Sequence, residues 1–160
     1  MGRVDIGPDE FLDTDNDQLP DWWEMQYFGS VRSGQTLDAS YMNDGIPNGY
    51  EYPFNIDPTR PVSPDRLPRV VNFNGRSSLV YHQYKGGTGI IGVDYTANGV
   101  TYVVQVNDSL SSSNWRSGTN WVEWTGERSD SGDSTDVVSV RAKPPLASSP
   151  QLFFRLKVDF

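Results

Sequence analysis

Phe154-Arg155-Leu156-Lys157-Val158-Asp159-Phe160 alternates without a break: Phe154, Leu156, Val158 and Phe160 fall on one side, Arg155, Lys157 and Asp159 on the other. Successive side chains of a strand point to opposite faces, so this run is a half-buried β-strand. Working outward, residues 101–106 keep the same period and put Tyr102, Val104 and Val106 on one face. Residues 136–141 place Val138 and Val140 together, and residues 79–84 form a further strand. Residues 70–73, 90–95 and 121–125 carry weaker strand patterns, and Ala97-Asn98-Gly99 reads as a hairpin turn, because Asn-Gly tolerates positive φ. Six or seven short strands at this spacing predict a mainly β fold, with an antiparallel β-sandwich over residues 70–160.

Upstream, the chain changes character. Residues 1–12 read as an extended lead-in broken by Gly7-Pro8, and residues 13–57 as a turn-rich unit with two short helices. Residues 58–69 hold Pro58, Pro61, Pro64 and Pro68 and suit a stiff linker. Residues 1–60 carry twelve acids against three bases, whereas residues 61–160 carry nine acids against ten bases, so the net charge of −8 lies in the first part. That balance argues against nucleic acid, whose phosphates need a basic patch, and the concentrated carboxylates need either solvent or cations. Hydrophobic residues are 36% and aromatics 12%, so Trp, Tyr and Phe must supply the bulk of any core. The absence of cysteine excludes disulfides and thiolate metal sites. No apolar run approaches the roughly 20 residues of a membrane span. The opening Met1-Gly2-Arg3 has no apolar leader, as a mature or recombinant form would read.

Residues 13–24 read Asp-Thr-Asp-Asn-Asp-Gln-Leu-Pro-Asp-Trp-Trp-Glu. Numbered as a twelve-residue loop, Asp13, Asp15 and Asp17 occupy positions 1, 3 and 5, Leu19 position 7, Asp21 position 9 and Glu24 position 12. This is the ligand spacing of an EF-hand loop. A hard cation takes roughly six to eight oxygens, and alternate residues of a tight curl aim their carboxylates inward. The Leu19 carbonyl adds a neutral oxygen, and Glu24 closes the shell from the helix that follows. Pro20 suits the start of that helix, Trp22, Trp23, Tyr27 and Phe28 anchor it, and Gly29 ends it. One residue departs from the pattern: position 6, usually Gly, is Gln18, which predicts strain at a positive φ. A degenerate second loop puts Ser40, Met42, Asp44, Ile46, Asn48 and Glu51 at the same positions, with Pro47 matching Pro20 and Gly45 keeping the turn. Met42 cannot ligate, so this weaker second metal site would draw on Asp44, Ile46, Asn48, Glu51 and Ser40, completed by Asp38 or Asp57. One Ca2+ is expected, and two if the second loop fills.

Residues 13–29, with Asp44-Gly45-Ile46-Pro47-Asn48-Gly49-Tyr50-Glu51 and Asn55-Ile56-Asp57-Pro58-Thr59, resemble the thrombospondin type 3-like calcium repeats of bacterial surface proteins. Residues 95–160, through Tyr102–Leu110, Asn114-Trp115 and Phe153–Val158, resemble the β-domain that often ends such proteins. The resemblance implies an exported, calcium-dependent module at the cell surface and names no ligand.

Other residues carry candidate chemistry. His82 stands alone in a strand with no nucleophile motif, so no enzyme is expected. Lys85-Gly86-Gly87-Thr88-Gly89 lacks Walker spacing and reads as a flexible loop. Trp115, Trp121 and Trp124 are candidate glycan contacts, with core packing the favoured alternative. Asn107-Asp108-Ser109 fits a glycosylation sequon at Asn107. The leading expectation is an extracellular structural module, the repeating subunit of a surface fibre joined through strand edges. Its partners are then copies of itself, or other surface proteins and glycans. The alternatives are a carbohydrate-binding or adhesive module and, behind that, a domain of a secreted hydrolase.

Overall fold

The computed structural model describes residues 11–73, 75–111, 113–144 and 146–160. The lead-in expected at residues 1–12 therefore lies almost wholly outside the described residues. Two short helices, α1 (Asp21–Phe28) and α2 (Asn48–Glu51), precede seven strands among the described residues: β1 (Arg69–Phe73), β2 (Arg76–Tyr84), β3 (Tyr95–Ala97), β4 (Val100–Asn107), β5 (Val122–Asp130), β6 (Thr135–Ala142) and β7 (Phe153–Asp159). They form two antiparallel sheets, ordered β1-β2-β6-β5 and β3-β4-β7. The fold is mainly β, as the alternation predicts.

The strongest periodic runs become strands at the expected phase. In β4, Tyr102, Val104 and Val106 are all fully buried. In β7, Arg155, Lys157 and Asp159 are exposed while Phe154, Leu156 and Val158 turn inward, and β7 pairs with β4 so that Val104 faces Leu156. Asn98 and Gly99 both take positive φ and close the β3–β4 hairpin.

One weak strand needs correction. Residues 90–94 fold back as a turn, and only Tyr95 enters a strand. Val93 and Asp94 donate their amides to the Ile90 carbonyl, and the Asp94 carboxylate takes the Ile90 amide at 2.7 Å. Ile91 and Val93 reach the core from a turn while Ile90 stays exposed, so their spacing imitates a strand without a ladder. The strand expected at 121–125 starts at Val122 and runs on to Asp130, through a bulge between Trp124 and Arg128. The linker region is not uniformly extended, because Pro64–Arg66 turns once as a 3-10 helix. The Gly-rich loop after β2 is close-packed at Gly87, where a Cβ would lie 2.3 Å from the Thr96 carbonyl oxygen.

The N-terminal unit and both sheets share one core. Trp23 is fully buried and meets Tyr27, Phe28 and Tyr52 edge-on at 5.3, 5.5 and 5.8 Å. Tyr52 also contacts Tyr84 of β2, at 5.6 Å, and stacks on Phe160 beyond β7. The tyrosine hydroxyls bridge these layers to the backbone. Tyr102 donates to the Pro53 carbonyl at 2.6 Å, Tyr84 to the Tyr52 carbonyl at 2.7 Å, and Tyr52 to the Asn98 carbonyl. Burial of so many aromatics compensates for the low aliphatic content, while the hydroxyls of Tyr52, Tyr84 and Tyr102 find partners that burial would otherwise deny them.

Candidate metal centre

The loop before α1 is folded by its own carboxylates. Asp13 accepts three backbone amides: Asn16 at 2.7 Å and Asp17 at 3.2 Å on Oδ1, and Gln18 at 2.9 Å on Oδ2. Asp17 Oδ1 accepts the Leu19 amide at 2.8 Å. Gln18 takes φ 74°, the left-handed value that the missing glycine predicts, and Asn16 takes φ 60°. Pro20 caps α1 from an extended conformation, and Gly29 ends it at φ 73°, returning its amide to the Glu24 carbonyl.

This curl brings acids together. Ligand oxygens of Asp13, Asp15 and Asp17 all lie within 4.8 Å of one another, and this group could hold a metal ion. Among the described residues, this loop and its helix hold three buried carboxylate oxygens with no hydrogen-bond partner: Asp15 Oδ1, Asp17 Oδ2 and Glu24 Oε2. They belong to loop positions 3, 5 and 12, and Glu24 stands outside the close group of Asp13, Asp15 and Asp17. Glu24 is fully buried, and its other oxygen is held by Ser33, through the amide at 3.2 Å and the hydroxyl at 2.5 Å. Burial raises the Glu24 pKa; the Ser33 bonds oppose this, and the Asp17 and Asp15 charges add to it. Burial likewise raises Asp17, against the Leu19 amide and with the charges of Asp15, Asp13 and Asp21. Bare, buried, mutually repelling oxygens with no nitrogen or sulfur donor among them fit a hard cation.

Two of the expected ligands also hold the loop in place. Asp21 is buried, and both its oxygens are engaged by Thr14, the amide at 2.7 Å and the hydroxyl at 2.5 Å, so it staples the loop closed. Leu19 is fully buried in the core and ties the loop to it. Ser33, which orients Glu24, belongs to no motif, and sequence reasoning missed it.

The second loop is built differently. Gly45 takes φ 83°, as its position requires. Asp44 Oδ1 accepts the Ser40 hydroxyl at 3.1 Å and the Ile46 amide at 3.0 Å. Asn48 is fully buried; its Nδ2 donates to the Thr36 carbonyl at 2.9 Å and its Oδ1 has no partner. Glu51 is 2% exposed with Oε2 unpartnered, and burial, followed by the charges of Asp44 and Asp57, pushes its pKa up to about 7. Asn55, whose Oδ1 is also bare, was not among the expected ligands. Met42 and Asp38 are exposed. Asp57 is occupied by Thr59, through its amide at 2.9 Å and hydroxyl at 2.6 Å, and by Arg60.

The remaining candidates are dispersed. Arg155 lies over the Trp115 ring at 4.5 Å and Arg116 over Trp121 at 4.6 Å, so each indole has one face covered by a guanidinium. Trp124 is 41% exposed and donates its indole N–H to the Glu127 carbonyl at 3.0 Å. Asn107 is buried, and its Oδ1 accepts the Asp108 and Ser109 amides, so this fold turns the sequon amide away from solvent. No helix among the described residues is long and apolar enough to cross a membrane. No family model, no curated protein and no solved structure matches the chain.

Proposed function

We propose that this chain is an extracellular, calcium-clamped structural module of a cell surface, with a β-sandwich as its body and no catalytic role. The observation that carries the reading is the set of three unpartnered buried carboxylate oxygens on Asp15, Asp17 and Glu24. Asp13 shapes the loop and adds a third charge to the group with Asp15 and Asp17. Calcium suits this set better than magnesium, which demands a tighter octahedron and keeps its water. Outside cells calcium is abundant enough for a site of modest affinity to fill, and the likeness of this loop to thrombospondin type 3-like repeats points the same way. The ion's part is structural: it neutralises the loop and fixes α1, whose Trp23 enters the core.

Assembly into a fibre is favoured by the sheet edges. Among the described residues, β1 and β7 each have one side without a strand partner, and beside them runs an apolar groove whose lining includes Val70, Leu79, Phe154, Leu156 and Val158. Open edges of this kind accept a neighbouring strand.

Calorimetric titration of chelator-stripped protein with calcium chloride, and separately with magnesium chloride, tests the clamp. We expect saturable binding of at least one calcium ion, with a dissociation constant of about 10⁻³ M or tighter. Failure of calcium to bind or to raise the melting temperature would sink the reading. Sedimentation at high protein concentration tests assembly, and a uniform monomer would remove the fibre.

A further inference from the structure

Away from the metal loop, His82 sits in a closed cluster that the proposed function does not use. It is 4% exposed and lies in β2. Its Nδ1 is 3.2 Å from Arg66 Nη1, 3.2 Å from Thr135 Oγ1 and 3.3 Å from Ser131 Oγ. A guanidinium can only donate and does not lose its charge, so Nδ1 must accept from it. The ring is then neutral and carries its proton on Nε2. Arg66 also donates to Thr135 Oγ1 at 3.3 Å and pairs with Asp133. Asp133 Oδ1 in turn takes the Thr135 amide and hydroxyl, each at 2.7 Å, and the Ser131 hydroxyl donates to the Thr135 carbonyl at 2.8 Å.

The charged and titratable groups around the ring come from four elements. The 3-10 turn Pro64–Arg66 brings Asp65 and Arg66, with a hydrogen bond between the ring and the Asp65 backbone. The β5–β6 turn brings Asp133, whose carbonyl takes the Lys85 ammonium at 2.6 Å, while Lys85 also pairs with Asp130. On β6, Asp136 is paired with Arg128. From α1, Tyr27 feels both Asp133 and Arg66.

We propose that His82 and Arg66 form an acid-released latch that docks the 3-10 turn of residues 64–66, and with it the connection between the acidic unit and the sheets, onto β2 and the β5–β6 turn. A proton arriving at Nδ1 meets the Arg66 charge at hydrogen-bond distance, and one of the two cations must leave. The imidazolium has new acceptors at hand, because Ser131 Oγ and Thr135 Oγ1 both keep lone pairs toward it. Arg66 keeps its pair with Asp133 and one long bond to Thr135 Oγ1, the oxygen for which the imidazolium now competes, and it is held by a chain segment that is otherwise exposed at Ser63, Pro64 and Asp65. The arginine is therefore the partner expelled.

The direction of titration agrees. Burial first, and the Arg66 charge second, lower the His82 pKa below 6.5, against the Asp65 carbonyl and the charges of Asp133 and Asp65. A group whose pKa is lowered on docking contributes stability above its free value and loses it as pH falls through the docked value. The latch is closed at neutral pH and opens in acid.

The chain's single histidine makes the test direct. The His82 ring and the amides of residues 63–67 and 131–135 are followed by NMR in calcium-saturated protein while the pH is lowered. We expect a ring midpoint below 6.5, with the amides of both segments shifting at that same midpoint. Arg66→Met should move the ring midpoint upward, and His82→Gln should abolish the shared step. A midpoint at or above 6.5, a step that survives His82→Gln, or an unmoved midpoint in Arg66→Met would each overturn the latch. Should His82→Gln fail to fold, the parent titration and the Arg66→Met titration still decide. Because the metal loop is kept saturated throughout, failure of the calcium reading would show as absent binding and not as a missing histidine step.

Discussion

Replacing Asp17 with Asn separates what the acidic loop costs from what the ion returns. The change is nearly isosteric: Oδ1 can keep the Leu19 amide while one negative charge disappears. Oxygens of Asp17 lie within 4.8 Å of those of Asp13 and Asp15. At that separation a like-charge pair repels by about 0.9 kcal/mol at the dielectric of water and about 3.5 kcal/mol at an effective value of 20. Two pairs are relieved. The loop is only partly buried and salt screens it, so the lower figure governs, giving about 2 kcal/mol. In chelator, Asp17→Asn should therefore raise the melting temperature by about 4–8 °C for a chain of this size. In calcium the same change removes a charged ligand. If affinity falls about a hundredfold, calcium at a hundred times the parent's dissociation constant stabilises the parent by about 2.7 kcal/mol and the variant by about 0.4 kcal/mol. Thermal melts of both proteins, each in chelator and in calcium, read all four values. A variant that melts at or below the parent in chelator while keeping the full calcium response would refute the reasoning, because the acids would then neither repel nor ligate.

Gln18→Gly relieves a left-handed residue worth about 1–2 kcal/mol of strain, at the cost of about 0.5–1 kcal/mol of extra chain entropy. A net gain of about 0.5–1 kcal/mol should appear in urea unfolding, and a loss would show that the Gln18 side chain makes an essential contact. Glu51, with its pKa pushed up to about 7 in the fold against 4.5 when free, favours the protonated state. Metal-free protein should thus be most stabilised by this group below about pH 4.5 and lose that contribution as pH rises through about 7; a Glu51→Gln variant melted across this range in chelator should show a flatter profile. Trp23→Ala empties a fully buried site between Tyr27, Phe28 and Tyr52 and should cost about 3–5 kcal/mol. A smaller loss in chemical unfolding would mean that α1 is only loosely attached.

The strands were legible where one face meets the core and the other meets water. β4 and β7 satisfy that condition along their length, so alternation located them to within a residue. β5 does not: beyond Trp124 it runs Thr125-Gly126-Glu127-Arg128-Ser129-Asp130, an exposed edge with no apolar period, held by its ladder to β6. The false strand at residues 90–94 is the converse case, with Ile91 and Val93 brought to the core by a turn at which Gly89 and Gly92 take positive φ. In the metal loop, spacing identified the acids but not how their oxygens divide. Which of them fold the backbone, as on Asp13, and which remain bare, as on Asp15, depends on amide directions that residue types do not encode. The Thr14 clasp on Asp21 and the Ser33 clasp on Glu24 depend on where the chain returns, and the second of these closes only after a nine-residue excursion.

The tyrosine hydroxyls that reach Tyr52, Pro53 and Asn98 bear on how disturbance travels. They wire the segment just after α2 into strands of both sheets, with Tyr84 on one and Tyr102 on the other. If the loop holds calcium as proposed, withdrawing the ion should leave a mark far from the loop. Amide hydrogens in β2 and β4 should exchange faster once the loop is stripped, and heat should unravel acidic unit and sheets as one cooperative event.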